Sequence, residues 1–437
     1  MWCVALTDLQ LLVDDLAQQL HAPTVLEDHE QRLVAYSSHN GAIDEVRRDS
    51  ILRRDTSQQV KDWFRQFGIV QATSPLRIPS HPGLGILGRL CAPVRFHGAL
   101  MGYLFLIDDG QRLNDSDIAA VLEAQRAAAL LLYEEERAQR LSARMVGHLL
   151  NPAMELRETA ARQLVEEGLA ADAPHRVVYV RPALLPPTGV QAVISEAMWE
   201  LGRTRRQAGV LRTHRHDHGV LLVEAPSAGD DTTAHAAAEE ARSLLARLMR
   251  IRLGSDQGSV RVVAGIGDRQ PHLTSAITSY RQAMLAARVA AAVPSVGDVP
   301  RWSDLGAFRA LAHLPPGEAA EACLDPRLVR LLSADHALLE TIETYLDLGC
   351  DAKKTSERLH LHRATLYYRL DKARKLTGAD LSDGNDRLAL HLGFKLARLT
   401  GRHPSAGPLG AMGPTSVGTG EGDYPADVAR LPPDPRG

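Results

Sequence analysis

The densest set of side chains able to do chemistry lies between Lys353 and Lys375. Eight basic residues (Lys353, Lys354, Arg358, Arg363, Arg369, Lys372, Arg374, Lys375) stand there against Glu357 and Asp371. The whole chain has a formal net charge of −3, so a basic run this local points to one anionic partner at one place. His362, Arg363, Thr365, Tyr367, Tyr368, Arg369 and Lys372 put guanidinium, hydroxyl and ammonium donors close together. Such groups suit base edges and phosphates in the major groove of double-stranded DNA.

These residues need elements to position them, and the flanking sequence supplies the punctuation. Asp351 is placed to cap a helix starting at Ala352 and ending near Leu359. His360 to His362 form a short turn, and a second helix runs from Arg363 to Thr377, where Gly378 stops it. Leu359, Leu361, Leu366 and Leu370 give this unit an apolar side. The pattern reads as a helix-turn-helix. Arg363 and Thr365 are expected at base edges, with His362 and Tyr367 as further candidates. Tyr368 either meets a phosphate or packs in the core. Lys353, Lys354, Arg369 and Lys372 are expected to hold phosphates. The plainer alternative is a solvated helix pair used for packing.

The run from Leu338 to Leu346, then Asp351 to Leu370, Leu376-Thr-Gly378 and Asp386-Arg387-Leu388-Ala-Leu390 resembles the DNA-binding end of PucR/CdaR-type bacterial transcription regulators. His362-Arg363-x-Thr365-Leu366-x-Tyr368-Arg369-Leu370 carries most of the likeness. The resemblance implies a supporting helix over Leu338–Leu348, with Leu339, Ile342, Tyr345 and Leu346 inward, and a closing helix from about Arg387 to Thr400. Two departures, Ala352 and Ser356, keep small residues where close packing needs them. Upstream, such regulators carry a degenerate diguanylate-cyclase-like domain. Here strands are expected at Val177–Val180, Val210–Thr213, Gly219–Val223 and Val260–Gly267. Helices are expected at Val190–Arg206, Ala238–Ile251 and Thr274–Ala290, the last containing Ser279-Tyr280-x-Gln282-Ala283. Trp302-Ser-Asp304-Leu305-Gly306 resembles the family's lead-in to the helix-turn-helix.

With 437 residues, two or three domains are expected. Residues 1–113 read as an α/β sensory domain similar to a GAF domain. Its expected parts are hairpins at Pro23–Ser37 and Arg89–Ile107 and helices over Asp44–Arg54 and Ser57–Phe67. Residues 114–150 read as a long connector helix, with Ile118, Val121, Leu122, Gln125, Ala128, Ala129 and Leu132 at seam spacing. That seam serves either a dimerising signal helix or the last helix of the N-terminal domain. Asn151-Pro152 breaks it. The remaining divisions are 151–300 (cyclase-like domain), 301–334 (linker), 335–400 (all-α helix-turn-helix domain) and 401–437. This last stretch holds eight Gly and seven Pro, a composition expected to stay disordered. The fold class is therefore α+β and multidomain. Cys3, Cys91, Cys323 and Cys350 are widely spaced, which argues against a disulfide framework or zinc module and suits a cytoplasmic location. No basic leader and no membrane-length apolar run is seen.

An active cyclase carries a Gly-Gly-[Asp/Glu]-Glu-Phe turn whose acids help hold magnesium. The corresponding turn, Thr213-His-Arg-His-Asp-His-Gly219, has one acid and one glycine, so no cyclase activity and no cofactor are expected. His214, His216 and His218 alternate as metal ligands on one strand face would, but a turn inside the segment splays them. A solvated hairpin tip with no metal is the expectation. Gly265-Ile-Gly267 lacks a dinucleotide fingerprint and reads as a strand-end turn. Ser37-Ser38-His39-Asn40 fits a polar ligand or a plain loop equally well. The reading is a sequence-specific DNA-binding transcription regulator, not an enzyme. Its expected associations are a homodimer or higher oligomer and a small-molecule effector at the N-terminal domain. The alternatives are a protein-binding scaffold and a nucleotide-binding enzyme with a DNA-binding tail.

Overall fold

The computed structural model describes residues 2–37, 44, 46–48, 56–184, 188–204, 210–227, 232–253, 260–314 and 324–404. Three expectations lie wholly or mostly outside them: the Ser38-His39-Asn40 loop, the Asp44–Arg54 helix and the tail beyond Pro404. The chain divides into two compact units, Met1–Ser142 and Ala143–Gly420.

The first unit is built on a five-stranded antiparallel sheet. Its elements are α1 (Trp2–Leu20), β1 (Thr24–Asp28), β2 (Leu33–Tyr36), α2 (Gln58–Gln66), β3 (Leu76–Ile78), β4 (Arg89–Phe96), β5 (Ala99–Ile107) and α3 (Asp115–Leu149). The strand order is β2-β1-β5-β4-β3, an arrangement compatible with the GAF-like expectation. Both expected hairpins form. His97 and Gly98 turn the second with φ of 46° and 83°, the two positive values that a tight two-residue hairpin needs. Strand β5 is buried along most of its length because both sheet faces are covered. Leu9, Val13 and Leu16 of α1 and Val121, Ala128 and Leu132 of α3 pack with Leu26, Leu104 and Leu106. Phe64 of α2 and Ile69 pack with Tyr103 and Phe105. The apolar seam of α3 is thus consumed, as far as Leu132, by its own domain.

This unit also buries charge. Arg89 pairs with Asp44 and lies over the Phe64 ring, 5.0 Å from its centroid. Arg47 donates to the carbonyls of Pro23 (3.1 Å) and Thr24 (2.5 Å). Glu27 accepts from the Thr56 hydroxyl at 3.1 Å, and its Oε2 has no partner. Burial pushes this carboxyl up to about 7, against the pull of Thr56 and Arg89.

The second unit opens with α4 (Met154–Glu166). There follow β6 (His175–Pro182), α5 (Val190–Thr204), β7 (Val210–His214), β8 (Gly219–Glu224), α6 (Thr232–Leu253), β9 (Val262–Ile266) and α7 (Ala276–Ala292). The four strands form an antiparallel sheet in the order β7-β8-β6-β9. Helices α5 and α6 cover one face through Ile194, Met198, Ala238 and Leu245 against Val178, Val180, Leu221 and Ala264. Helix α7 lies on the other face, and glycines let it come close. A Cβ on Gly265 would sit 2.0 Å from the Ala283 carbonyl oxygen, and one on Gly267 2.0 Å from that of Ser279. Gly265 is therefore a packing residue inside β9, where a strand-end turn was expected. Ser279 Oγ accepts from the Val177 amide at 2.9 Å and locks the contact.

The C-terminal helices are α8 (Phe308–Leu311), α9 (Pro326–Leu332), α10 (His336–Asp347), α11 (Ala352–Leu359), α12 (Arg363–Thr377) and α13 (Gly384–Leu399). The stretch expected as a linker is packed at both described ends. Trp302, Leu305 and Phe308 join Ala286 and Val289 of α7 and Leu399 of α13 in one apolar cluster. Leu328 and Leu331 of α9 are fully buried in the core shared by α10, α12 and α13.

Candidate nucleic-acid interface

The helix-turn-helix is held by local hydrogen bonds. Asp351 accepts from the amides of Lys353 (2.9 Å) and Lys354 (3.0 Å), capping α11. His360 takes a left-handed conformation, φ 52°, and the Leu361 amide reaches back to the Ser356 carbonyl at 2.9 Å. His362 then caps α12, its Nδ1 accepting from the Ala364 amide at 3.3 Å. Gly378, φ 75°, ends α12 with its amide on the Arg374 carbonyl at 2.8 Å.

One side of this unit is buried and fixed. Leu366 and Thr355 are fully buried and Ala373 is 3% exposed, as close helix crossing requires. Ser356 satisfies its hydroxyl on the Ala352 carbonyl at 2.8 Å. Behind it, Leu338, Leu339, Ile342 and Leu346 of α10 meet Leu390 and Phe394 of α13. Tyr345, expected inward with them, is only half-buried. A bidentate ion pair from Arg398 to Glu343 (2.5 and 2.7 Å) ties α13 to α10. His403 lies 3.2 Å from the same carboxylate. Burial alone would raise the Glu343 carboxyl, but the bonds from His403 and Arg398 reverse this and hold it at about 2.

The other side is open. Lys353, Lys354, His362, Arg363, Thr365 and Lys372 are exposed, and Tyr367 and Tyr368 are 58% and 68% exposed. Tyr368 therefore does not pack in the core. Among the described residues Arg363 has no ion pair or hydrogen-bond partner, whereas Lys354 sits 3.6 Å from Asp351. Arg374 (3.0 Å) and Lys375 (2.7 Å) both pair with Asp371. Uncompensated positive charge is thus concentrated toward the start of α12. Arg358, exposed in the last turn of α11, belongs with it. The sequence flagged Arg358 only as part of a charge run.

Arg369 departs from expectation. Its Nη1 donates to the Ala337 carbonyl at 3.2 Å and to Thr341 Oγ1 at 2.8 Å. The guanidinium braces α12 against α10, where a phosphate contact was expected, because α10 offers it two acceptors at the right depth.

In the cyclase-like domain, the turn joining β7 to β8 closes at His214 and Gly219, with the Arg215 amide on the His218 carbonyl at 2.8 Å. The three histidines meet three environments. His214 is half-buried and His216 is exposed with Nδ1 2.9 Å from Gln191 Oε1. His218 is buried, stacked on Tyr179 with centroids 4.3 Å apart. It is not part of a solvated tip. Its Nδ1 is 2.7 Å from Asp217 Oδ1 and its Nε2 3.0 Å from the Tyr280 hydroxyl. An ionised Asp217 only accepts, so Nδ1 carries the proton and the Tyr280 hydroxyl donates to Nε2. Burial disfavours the imidazolium despite Asp217. Among the described residues no group of three or more histidine, cysteine or acidic side chains is arranged to hold a metal ion.

Residues 338–396 match the family described as the PucR C-terminal helix-turn-helix domain, and residues 151–289 match the GGDEF-like domain. The chain is a PucR-type transcription regulator. Relatives of this DNA-binding regulator run along almost its whole length. The proline-responsive transcriptional activator PutR of Bacillus subtilis (strain 168) is 23% identical over 409 residues, covering 90% of this chain and 97% of PutR. The DNA-binding transcriptional activator AdeR of the same organism is 20% identical, covering 90% and 93%. The purine catabolism regulatory protein of B. subtilis is 38% identical over 65 residues, 15% of this chain and 12% of its own. These curated relatives are regulators, and among the described residues of this one no helix is long and apolar enough to cross a membrane.

Proposed function

We propose that this regulator reads a specific operator with the first turns of α12. Arg363 and Thr365 reach base edges, with His362 and Tyr367 beside them. His362 Nδ1 is committed to the helix cap, which leaves its Nε2 for DNA. Lys353, Lys354, Tyr368 and Lys372, joined by Arg358, contact phosphates and fix the orientation of the helix. The observation that carries this reading is the contrast between the two sides of α12. One side is packed against α10 and α11, and the other offers an exposed Arg363, just after the His362 cap, with no ion pair or hydrogen bond among the described residues.

A single module of this size buries too little DNA surface for tight specific binding, so two copies of the regulator act on one operator. The domain at 1–113 receives a small-molecule signal in the cytoplasm, a role supported by the name of its proline-responsive relative. The cyclase-like domain is a structural relay and not an enzyme. Its turn fills the catalytic position with a buried His218 stacked on Tyr179 and hydrogen-bonded to Asp217 and Tyr280, and one acid is too few for a metal-bound triphosphate.

Selection of random duplex DNA by the full-length protein at near-physiological salt tests this. Enrichment of one sequence, weakened and relaxed at one base position with Arg363→Ala, is the expected result. Equal enrichment by both proteins would remove α12 from the recognition role.

A further inference from the structure

Helix α3 carries a second stripe, opposite the seam it buries in its own domain. Glu123, Arg126, Leu130, Glu134 and Arg137 are all exposed, and Leu130 is 47% exposed. At 3.6 residues per turn the five positions fall within an arc of about 80° and span roughly 21 Å of helix. Among the described residues the four charged side chains form no ion pair or hydrogen bond, although Glu123 with Arg126 and Glu134 with Arg137 stand at pairing distance along the helix.

The order of these charges has a symmetry. About Leu130, Glu123 mirrors Arg137 and Arg126 mirrors Glu134, each acid opposite a base. We propose that this stripe pairs with the same stripe of a second copy of the chain, the two α3 helices antiparallel and crossing at Leu130. In that register Glu123 faces Arg137 of the second copy, Arg126 faces its Glu134, and Leu130 meets its counterpart on the two-fold axis. Further out, exposed Ala119 falls opposite Leu141, a small residue against a large one. A parallel, in-register pair would set Glu123 on Glu123 and Arg126 on Arg126, which repels at every charged step. The charge pattern therefore selects direction.

The inference rests on the two-copy reading above and supplies its contact. Exposed ion pairs each add little affinity. They set register and orientation more than affinity, so cross-linking is the suitable readout.

The test uses the full-length chain with Cys3, Cys323 and Cys350 changed to serine. Leu130→Cys is expected to give a reducible covalent dimer under mild oxidation. Glu123→Cys alone and Arg137→Cys alone are expected to stay monomeric, and an equimolar mixture of the two to cross-link. Adding Glu123→Arg to Leu130→Cys should cut the yield several-fold, and adding Arg137→Glu to that variant should restore it. Self-cross-linking at Glu123→Cys as strong as at Leu130→Cys would overturn the antiparallel pairing in favour of a parallel one. Two protomers on one operator without any Leu130→Cys cross-link would sink the α3 contact and leave the DNA reading standing. One protomer per operator, again without cross-link, would remove both.

Discussion

At the scale of single residues, exposed and braced side chains of α11 and α12 make opposite predictions. Arg363→Ala should cost about 1–3 kcal/mol on the selected site and relax choice at one base position, with affinity for random DNA nearly unchanged. Lys354→Ala should weaken all sequences alike and flatten the dependence of log affinity on log salt by about one. A competition assay over several salt concentrations separates the two. Arg369→Ala should act on stability instead, since its hydrogen bonds to Ala337 and Thr341 are charge-assisted. A loss of about 1.5–3 kcal/mol is expected, read as faster hydrogen exchange across α10 and α12. A reduced salt slope with unchanged exchange would return Arg369 to the phosphate set. The sequence could not tell these arginines apart: the acceptors for Arg369 lie about thirty residues upstream. For the same reason nothing local to the turn announced that His218 is buried, because Tyr179 and Tyr280 come from β6 and α7.

At the scale of elements, what was legible had local punctuation. The helix-turn-helix boundaries follow from Asp351, the left-handed His360 and Gly378, and both hairpins of the first unit from their turns. Strand β3, three residues long, and α9, seven residues opened by a proline, are too short to show a period. Their place is set by the core they enter. Helix α13 begins three residues before the expected Arg387, since Asp383 caps it through the amides of Asn385 and Asp386. Its tie to α10 carries a pH signature. The Glu343 carboxyl is lowered from 4.5 to about 2, so the unfolded state binds the more protons between those values. Its contribution is full above about pH 5 and fades as pH falls toward 2. Glu343→Gln should cost about 3–5 kcal/mol at neutral pH by stranding Arg398, and should flatten the acid limb of the stability curve of the helical domain.

At the scale of the whole molecule, the two units should respond to pH in opposite senses. Glu27 is raised from 4.5 to about 7, so here the folded state holds the extra proton. The first unit should lose stability as pH rises from about 5 through 7 and level off beyond. Glu27→Gln, which mimics the protonated acid, should recover about 2–3 kcal/mol at pH 8 and little at pH 5. Hydrogen exchange followed separately over 1–142 and 143–404 resolves the two trends, and an alkaline limb that persisted in Glu27→Gln would exclude this carboxyl as its source.

The apolar cluster of Trp302, Leu305, Phe308 and Leu399 has a consequence for the DNA. It fastens the reading head to α7 with packed side chains, so the head does not swing on a loose tether. In the two-copy reading proposed above, heads held in this way narrow the distances and rotational phases open to the half-sites. Inserting about five base pairs at the centre of the operator, half a turn of the double helix, should abolish paired binding. Inserting about ten brings the second half-site back to the same side, one turn farther away. Operators of this regulator should therefore tolerate little variation in spacing.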